Sequence, residues 1–211
     1  MKVLFVGLGS IGKRHVRNMS IVTSQMKIPF EAYALRSTAT PLNDDIVQHI
    51  REVYTNSDSV PNDFDVAFIT NPTSLHYKTI DQLRGKARHL LIEKPVFESL
   101  NYDISRILPE NIGSQYYVAC PLRHTLLFQK LQTICSSTRI HSIRAICSSY
   151  LPDWRPGIDY RKTYSAQARL GGGVDLDLIH ELDYLTALFS FPGKLHCFKG
   201  KYSSLELDCY D

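Results

Sequence analysis

Long apolar runs are missing from this 211-residue chain. No stretch approaches the ~20 residues that span a bilayer as a helix, so no membrane partner is expected. The apolar start is too short and too broken by glycine for a secretory signal, and no small-residue cleavage site follows it. Charge of one sign is also scarce: 24 Lys and Arg against 21 Asp and Glu leave a net +3, spread without a basic block. A nucleic-acid footprint would cluster Lys and Arg on one element, so no nucleic-acid partner is implied. The five cysteines, Cys120, Cys135, Cys147, Cys197 and Cys209, include no C-x-x-C pair. Odd in number and scattered through apolar segments, they read as reduced core thiols of a cytoplasmic protein, without a chemical role. Internal repeats and low-complexity tracts are absent too. The length fits one large domain or two modest ones, able to bury about 70% of the unfolded surface.

What is present begins at residue 1, with MKVLFVGLGSIG. Val3 to Val6 form a short continuous apolar run, as in a strand covered on both faces of a parallel sheet. Gly7, Gly9 and Gly12 follow with G-x-G-x-x-G spacing, and a helix-compatible segment runs on from Ile11. Gly7 allows a tight turn, Gly9 lets backbone approach a pyrophosphate, and Gly12 lets the helix pack closely on the strand. The helix N-terminus, around Ser10 and Ile11, would offer unpaired N–H groups to phosphate. The bare pattern is weak; strand before and helix after make it a dinucleotide-binding signature.

A helix is expected from Lys13 to about Thr23 and a second strand over Phe30 to Leu35. The end of that strand selects the cofactor: an acid holds the ribose 2′-OH, whereas an Arg accommodates a 2′-phosphate. Here Leu35 is followed by Arg36 and Ser37, with no acid. The planar fork of Arg36 suits phosphate and favours NADP(H) over NAD(H), although stacking on adenine would suit either. Further on come a helix over Asp44 to Arg51, a short strand at Val53–Tyr54, and a buried strand over Asp65 to Thr70. Asn71–Pro72 follows, with Thr73 or Ser74 able to cap a helix ending near Gly85. His76 falls in its first turn, as a site residue or a solvated surface histidine. The strand His89 to Ile92 delivers Glu93, Lys94 and Pro95. The proline restricts Lys94 to extended geometry at the sheet edge, where desolvation would lower its pKa for acid–base work. A helix over Asn101 to Leu108 and a strand over Gln115 to Ala119 complete a doubly wound α/β pattern.

The rhythm changes near Cys120, giving candidate domains 1–120 and 121–211. A helix is expected over Pro121 to Ile134 and a long strand over Ile140 to Tyr150. The irregular stretch 151–169 holds Trp154, Arg161 and Tyr164, aromatic and guanidinium groups that suit a sugar or an anionic substrate, or else an ordered surface loop. Gly171 to Gly173 precede a helix, VDLDLIHELDYLTALF, and strand-like segments near 194–198 and 205–210 close the chain. On that helix Asp177, His180 and Asp183 recur every three residues on one polar face. One His and two carboxylates make a poor metal site, and no metal is expected. A His flanked by carboxylates is a more natural general base.

Four motifs together, GLGSIGKRH at 7–15, TNPTSLH at 70–76, EKP at 93–95 and GGGVDLDLIHELD at 171–183, resemble the Gfo/Idh/MocA family, the glucose–fructose oxidoreductase and inositol dehydrogenase group. The resemblance implies an N-terminal Rossmann domain followed by an α+β domain whose open, mostly antiparallel sheet mediates homo-oligomer contacts, as a dimer or tetramer. It also implies NAD(P)-dependent oxidation or reduction of a sugar, cyclitol or related hydroxy compound. The family's catalytic lysine falls on Lys94 and its catalytic histidine on His180, with Asp177 at the acidic position. The cofactor set would be Gly7, Gly9, Ser10, Ile11, Gly12, Arg36, Ser37, Asn71, Pro72, His76, Glu93 and Lys94. The substrate set would be Trp154, Arg161, Tyr164 and Asp177.

Two departures accompany the resemblance. The spacing D-x-x-H replaces D-x-x-x-H, as in a subgroup found in surface-polysaccharide and sialic-acid-type sugar pathways. Only 91 residues follow Cys120, so missing sheet strands and a shortened or truncated second domain are expected. Two alternatives therefore stand beside the dehydrogenase reading. One is a dinucleotide-binding protein without turnover; the other is a relative that uses transient oxidation for elimination or hydrolysis.

Overall fold

Neighbouring side chains on a strand point to opposite faces, so a run that is apolar throughout has two faces to bury. In the computed structural model, which describes residues 1–38, 41–42, 45–109 and 113–211, the first strand does this. In β1 (Lys2–Val6), Val3 and Phe5 join one core with Val16, Ala32, Ile46 and Phe68. Leu4 and Val6 join another with Tyr33, Ile69, Ile80 and Leu90. The two cores lie on the two faces of one six-stranded sheet.

That sheet belongs to the first of two compact units, Met1–Ala119. Its remaining strands are β2 (Glu31–Leu35), β3 (Ile50–Tyr54), β4 (Phe64–Ile69), β5 (Ala87–Ile92) and β6 (Tyr116–Val118). All pairings are parallel, in the order β3-β2-β1-β4-β5-β6. This is the doubly wound order whose direction of winding reverses between β1 and β4. The expected Rossmann α/β architecture is the one found.

Helices depart further from expectation. Helix α1 (Ser10–Gln25) starts directly at the glycine turn, earlier than Lys13. Asp44 lies outside the described residues; Asp45–His49 is a 3-10 turn, and Ile50 and Arg51 already belong to β3. After a 3-10 turn over Thr73–Leu75, α2 occupies His76–Gln82, and neither Thr73 nor Ser74 caps it with a side chain. The helix expected over 101–108 shrinks to a 3-10 turn, Ile104–Ile107, capped by the Asp103 carboxylate.

The second unit, Cys120–Asp211, opens with a 3-10 turn over Pro121–His124. Helix α3 follows over Leu126–Ser137, its N-terminus capped by the Thr125 hydroxyl, which accepts from Phe128 N at 3.2 Å. The stretch 151–170 is a series of 3-10 turns. The single helix expected after Gly173 is broken into α4 (Val174–Asp177) and α5 (His180–Phe189). The strands expected at 140–150, 194–198 and 205–210, and with them the antiparallel sheet, are not formed among the described residues. Ile140, Ile143 and Ile146 fall at every third position, so they alternate between strand faces and gather no apolar side; all three are exposed. The expectation of core thiols holds for Cys209 alone as a buried residue, since Cys147 and Cys197 are exposed; all five are free. No helix of the described residues is long and apolar enough to cross a membrane.

Candidate functional site

Because β2 lies on one side of β1 and β4 on the other, the connections leaving β1 and β4 part and open a crevice at the carboxyl ends of the strands. Three motifs meet this edge: Gly7 to Gly12 after β1, Asn71 to His76 after β4, and Glu93 to Pro95 after β5. Gly7 has φ +85°, and a Cβ there would come within 2.9 Å of Asn71 Cα. At Gly12 a Cβ would fall 2.1 Å from Gly7 O and 2.8 Å from Thr70 Oγ1. A Cβ at Gly9 would meet nothing within 4 Å, so the middle glycine faces open space and the outer two face protein.

Hydrogen bonds tie this turn down. Gly7 N donates to Leu35 O at 2.9 Å, and Thr70 N donates to Val6 O at 3.0 Å. Thr70 Oγ1 sits 2.7 Å from Gly7 O and 2.9 Å from Val6 O. The first turn of α1 carries no acidic residue and no side-chain cap. It borders an open groove of about 670 Å³ lined by Leu8, Gly9, Ser10, Lys13 and Arg14. Unpaired N–H groups beside cations and an open glycine suit a pyrophosphate, so the residues present fit a dinucleotide. Ile11 is half-buried behind this edge. At the end of β2, Arg36 N donates to Tyr54 O at 2.9 Å, with the residue half-buried and Ser37 exposed.

After β4, Asn71 Nδ2 donates to Thr79 Oγ1 at 2.8 Å, and Pro72 leads into the 3-10 turn. His76 is neither a solvated surface histidine nor open to the crevice: it is 1% exposed. Its Nε2 lies 2.9 Å from Asn71 O and its Nδ1 3.1 Å from Val96 O. Burial pushes its pKa down, against the opposing pull of those carbonyls and of Glu93. Its expected direct contact with cofactor is thus corrected to a structural one. After β5, Glu93 N donates to Ile69 O at 3.0 Å, and the Glu93 carboxylate meets His15 Nε2 at 2.7 Å. Lys94 follows, half-buried, with a cis bond to Pro95.

In the second unit Asp177 ends α4 and His180 begins α5, so Leu178 and Ile179 interrupt the continuous polar face expected for them. Asp183 is held by Arg123 in a two-pronged ion pair at 2.6 and 3.0 Å. Trp154 and Asp177 both line a cavity of about 410 Å³, with Tyr150, Val174, Tyr202 and Tyr210. Arg161 is occupied: Asp159 and Glu206 each bind it at 2.8 Å and push its pKa up. The Tyr164 hydroxyl donates to Gly171 O at 2.7 Å. Neither of these two lines the cavity with Trp154. Among the described residues no group of three or more His, Cys, Asp or Glu is placed to hold a metal ion.

Residues 1–107 match the profile of the GFO_IDH_MocA family, described as an oxidoreductase family with an NAD-binding Rossmann fold. The chain belongs to this family. It is 28% identical over 184 residues to the "Uncharacterized oxidoreductase YrbE" of Bacillus subtilis (strain 168), covering 84% of the chain and 50% of that relative. Two solved structures share the fold. The NAD-binding protein from Listeria innocua has a TM-score of 0.63 at 20% identity, over 89% of this chain and 54% of its own. The WlbA dehydrogenase from Bordetella pertussis, in complex with NADH and UDP-GlcNAcA, scores 0.66 at 18% identity, over 90% and 59%. The chain spans about half the length of these relatives.

Family membership accounts for the glycine turn, but three contacts went unnoticed in the sequence. These are the Thr70 hydroxyl against the turn, the His15–Glu93 pair and the Arg123–Asp183 pair. Thr70 and His15 do lie inside the quoted motifs, which is the one sequence signal that points to them.

Proposed function

We propose that this member of the family is an NAD(P)-dependent oxidoreductase acting at a hydroxyl-bearing carbon of a sugar, sugar derivative or cyclitol. The observation that carries the reading is the emergence of Lys94 directly after β5, at the same sheet edge as a glycine turn shaped for pyrophosphate. When bound, a nicotinamide cofactor supplies the hydride acceptor or donor. The chain's own residues bind, orient and handle the proton. Gly9, Ser10 and Ile11 take the pyrophosphate on a turn that Gly7 and Gly12 shape, Arg36 and Ser37 take the adenosine ribose end, and Asn71, Pro72 and Glu93 border the crevice. Lys94 donates a hydrogen bond to the substrate oxygen and stabilises charge developing on it. His180 takes the role of the base that removes the hydroxyl proton, and Asp177 and Trp154 that of substrate contacts.

NADP(H) is preferred in this reading because Arg36 stands where an acid would select NAD(H). A cytoplasmic location accompanies it. The WlbA dehydrogenase was solved with NADH and UDP-GlcNAcA, which makes nucleotide-linked sugar acids the first compounds to screen. Replacing Lys94 by Ala is expected to cut kcat by about 10²- to 10³-fold, with the NADPH Kd within about twofold of wild type. Stopped-flow and steady-state kinetics with fluorescence titration check this, and unchanged turnover would remove Lys94 from the chemistry. A second reading, dinucleotide binding without turnover, is favoured by one observation: no strands pair among the described residues of 120–211.

A further inference from the structure

The short segment Glu93 to Val96 carries Lys94 and is held at both ends by a histidine from a different helix. At its start, His15 of α1 meets Glu93 Oε1 through Nε2 at 2.7 Å, with only 17% and 14% of the two side chains exposed. The His15 ring also packs on Phe68, centroid to centroid 5.1 Å. At the segment's end, His76 of α2 reaches Val96 O through Nδ1 at 3.1 Å. The other nitrogen of His76 lies 2.9 Å from Asn71 O; a neutral ring donates to one of these two carbonyls, and the Nδ1–H tautomer is the one that holds Val96 O. Glu93 holds a further contact, accepting from Lys94 N at 3.3 Å.

We propose that His15 and His76 are positioning residues that clamp segment 93–96 from both ends and thereby set Lys94 at the crevice. Neither ring needs to touch substrate or cofactor. His15 fixes the Glu93 carboxylate against α1, and His76 fixes the Val96 carbonyl against α2. Lys94 lies between the two anchors, so its backbone has little room to shift. A misplacement of about 1 Å is enough to cost up to about 10²-fold in rate. The effect on turnover rests on the catalytic reading of Lys94 given above; the clamp itself does not.

The test uses the full chain with His15→Leu, His15→Gln, His76→Leu and the double variant His15→Leu/His76→Leu. In each Leu variant kcat is expected to fall about ten- to a hundredfold, with the NADPH Kd changed by less than about threefold. His15→Gln keeps an N–H for Glu93 and is expected to return to within about threefold of wild type in kcat. The double variant is expected to lose less than the product of the single losses, because both anchors act on one segment. NADPH affinity falling in step with kcat would make the histidines ligands and overturn the proposal, as would unchanged kcat.

A readout without substrate separates the clamp from the reading it serves. Backbone amide spectra of the cofactor-free variants are expected to shift at 93–97 while Gly7 to Gly12 stay in place. Undisturbed signals at 93–97 would overturn the clamp. An inactive wild type would overturn the proposed activity and leave these spectra to decide the clamp. Should His76→Leu fail to fold, the wild-type imidazole ¹⁵N spectrum takes its place. A proton fixed on Nδ1 of His76 supports the clamp, since that nitrogen faces Val96 O; a proton fixed on Nε2, or one averaging over both nitrogens, overturns it.

Discussion

Three glycines of one motif answer to different neighbours, and that difference is measurable. A methyl group at Gly12 has Gly7 O 2.1 Å away, and backbone cannot yield that far cheaply. Gly12→Ala is expected to lower stability by about 2–3 kcal/mol in urea unfolding. Gly9→Ala places its methyl in open space and is expected to change stability by less than about 0.5 kcal/mol. It should nonetheless weaken NADPH binding by about tenfold, because that space is where the pyrophosphate would approach the backbone. Equal effects of the two variants on stability would contradict this division of labour. His76 supplies a second residue-scale outcome. Its folded pKa lies below the ordinary histidine value of 6.5, so between those two values the unfolded chain holds the extra proton. Stability therefore falls as pH drops through that window and is regained above about 6.5. Glu93 is the charge facing the ring and opposes the shift, as do the carbonyls of Asn71, Val96 and Pro95, but burial outweighs them. Urea midpoints between pH 7.5 and 5 should fall more steeply for wild type than for His76→Leu, and parallel slopes would contradict the assignment. The glycines were legible in the sequence because their spacing is itself the signal. That His76 meets Val96 O and His15 meets Glu93 were not, since those partners lie 20 and 78 positions away.

Elements of the first unit were readable for a simple reason. A parallel strand buried on both faces is apolar throughout, and VLFV, VAFI and HLLI stand out against their surroundings. Each of these three lies in a strand of the sheet. Short helices were harder, because residues 101–108 carry helix-compatible side chains but settle into one capped 3-10 turn. In the second unit α3 is legible in the sequence and the strands are not, because a strand is stabilised by its partner and 140–150 pairs with none among the described residues. Helix α3 is locally specified instead. Thr125→Ala, which removes the side-chain acceptor for Phe128 N, is expected to cost about 1 kcal/mol. A urea midpoint unchanged from wild type would show that the cap contributes nothing.

At the scale of the whole chain, the family and the Rossmann order of the sheet stand together on residues 1–107. The sheet through which a homo-oligomer is expected is not formed among the described residues. Phe191, Leu195 and Phe198 are instead 75% exposed or more. The purified chain is expected to bind a nicotinamide dinucleotide at the crevice between β1 and β4. Parallel fluorescence titrations with NADPH and NADH test it most directly. Saturable binding of both, tighter for NADPH and weakened by Gly9→Ala, is expected. Saturation by neither cofactor would contradict it, leaving a Rossmann fold without its ligand.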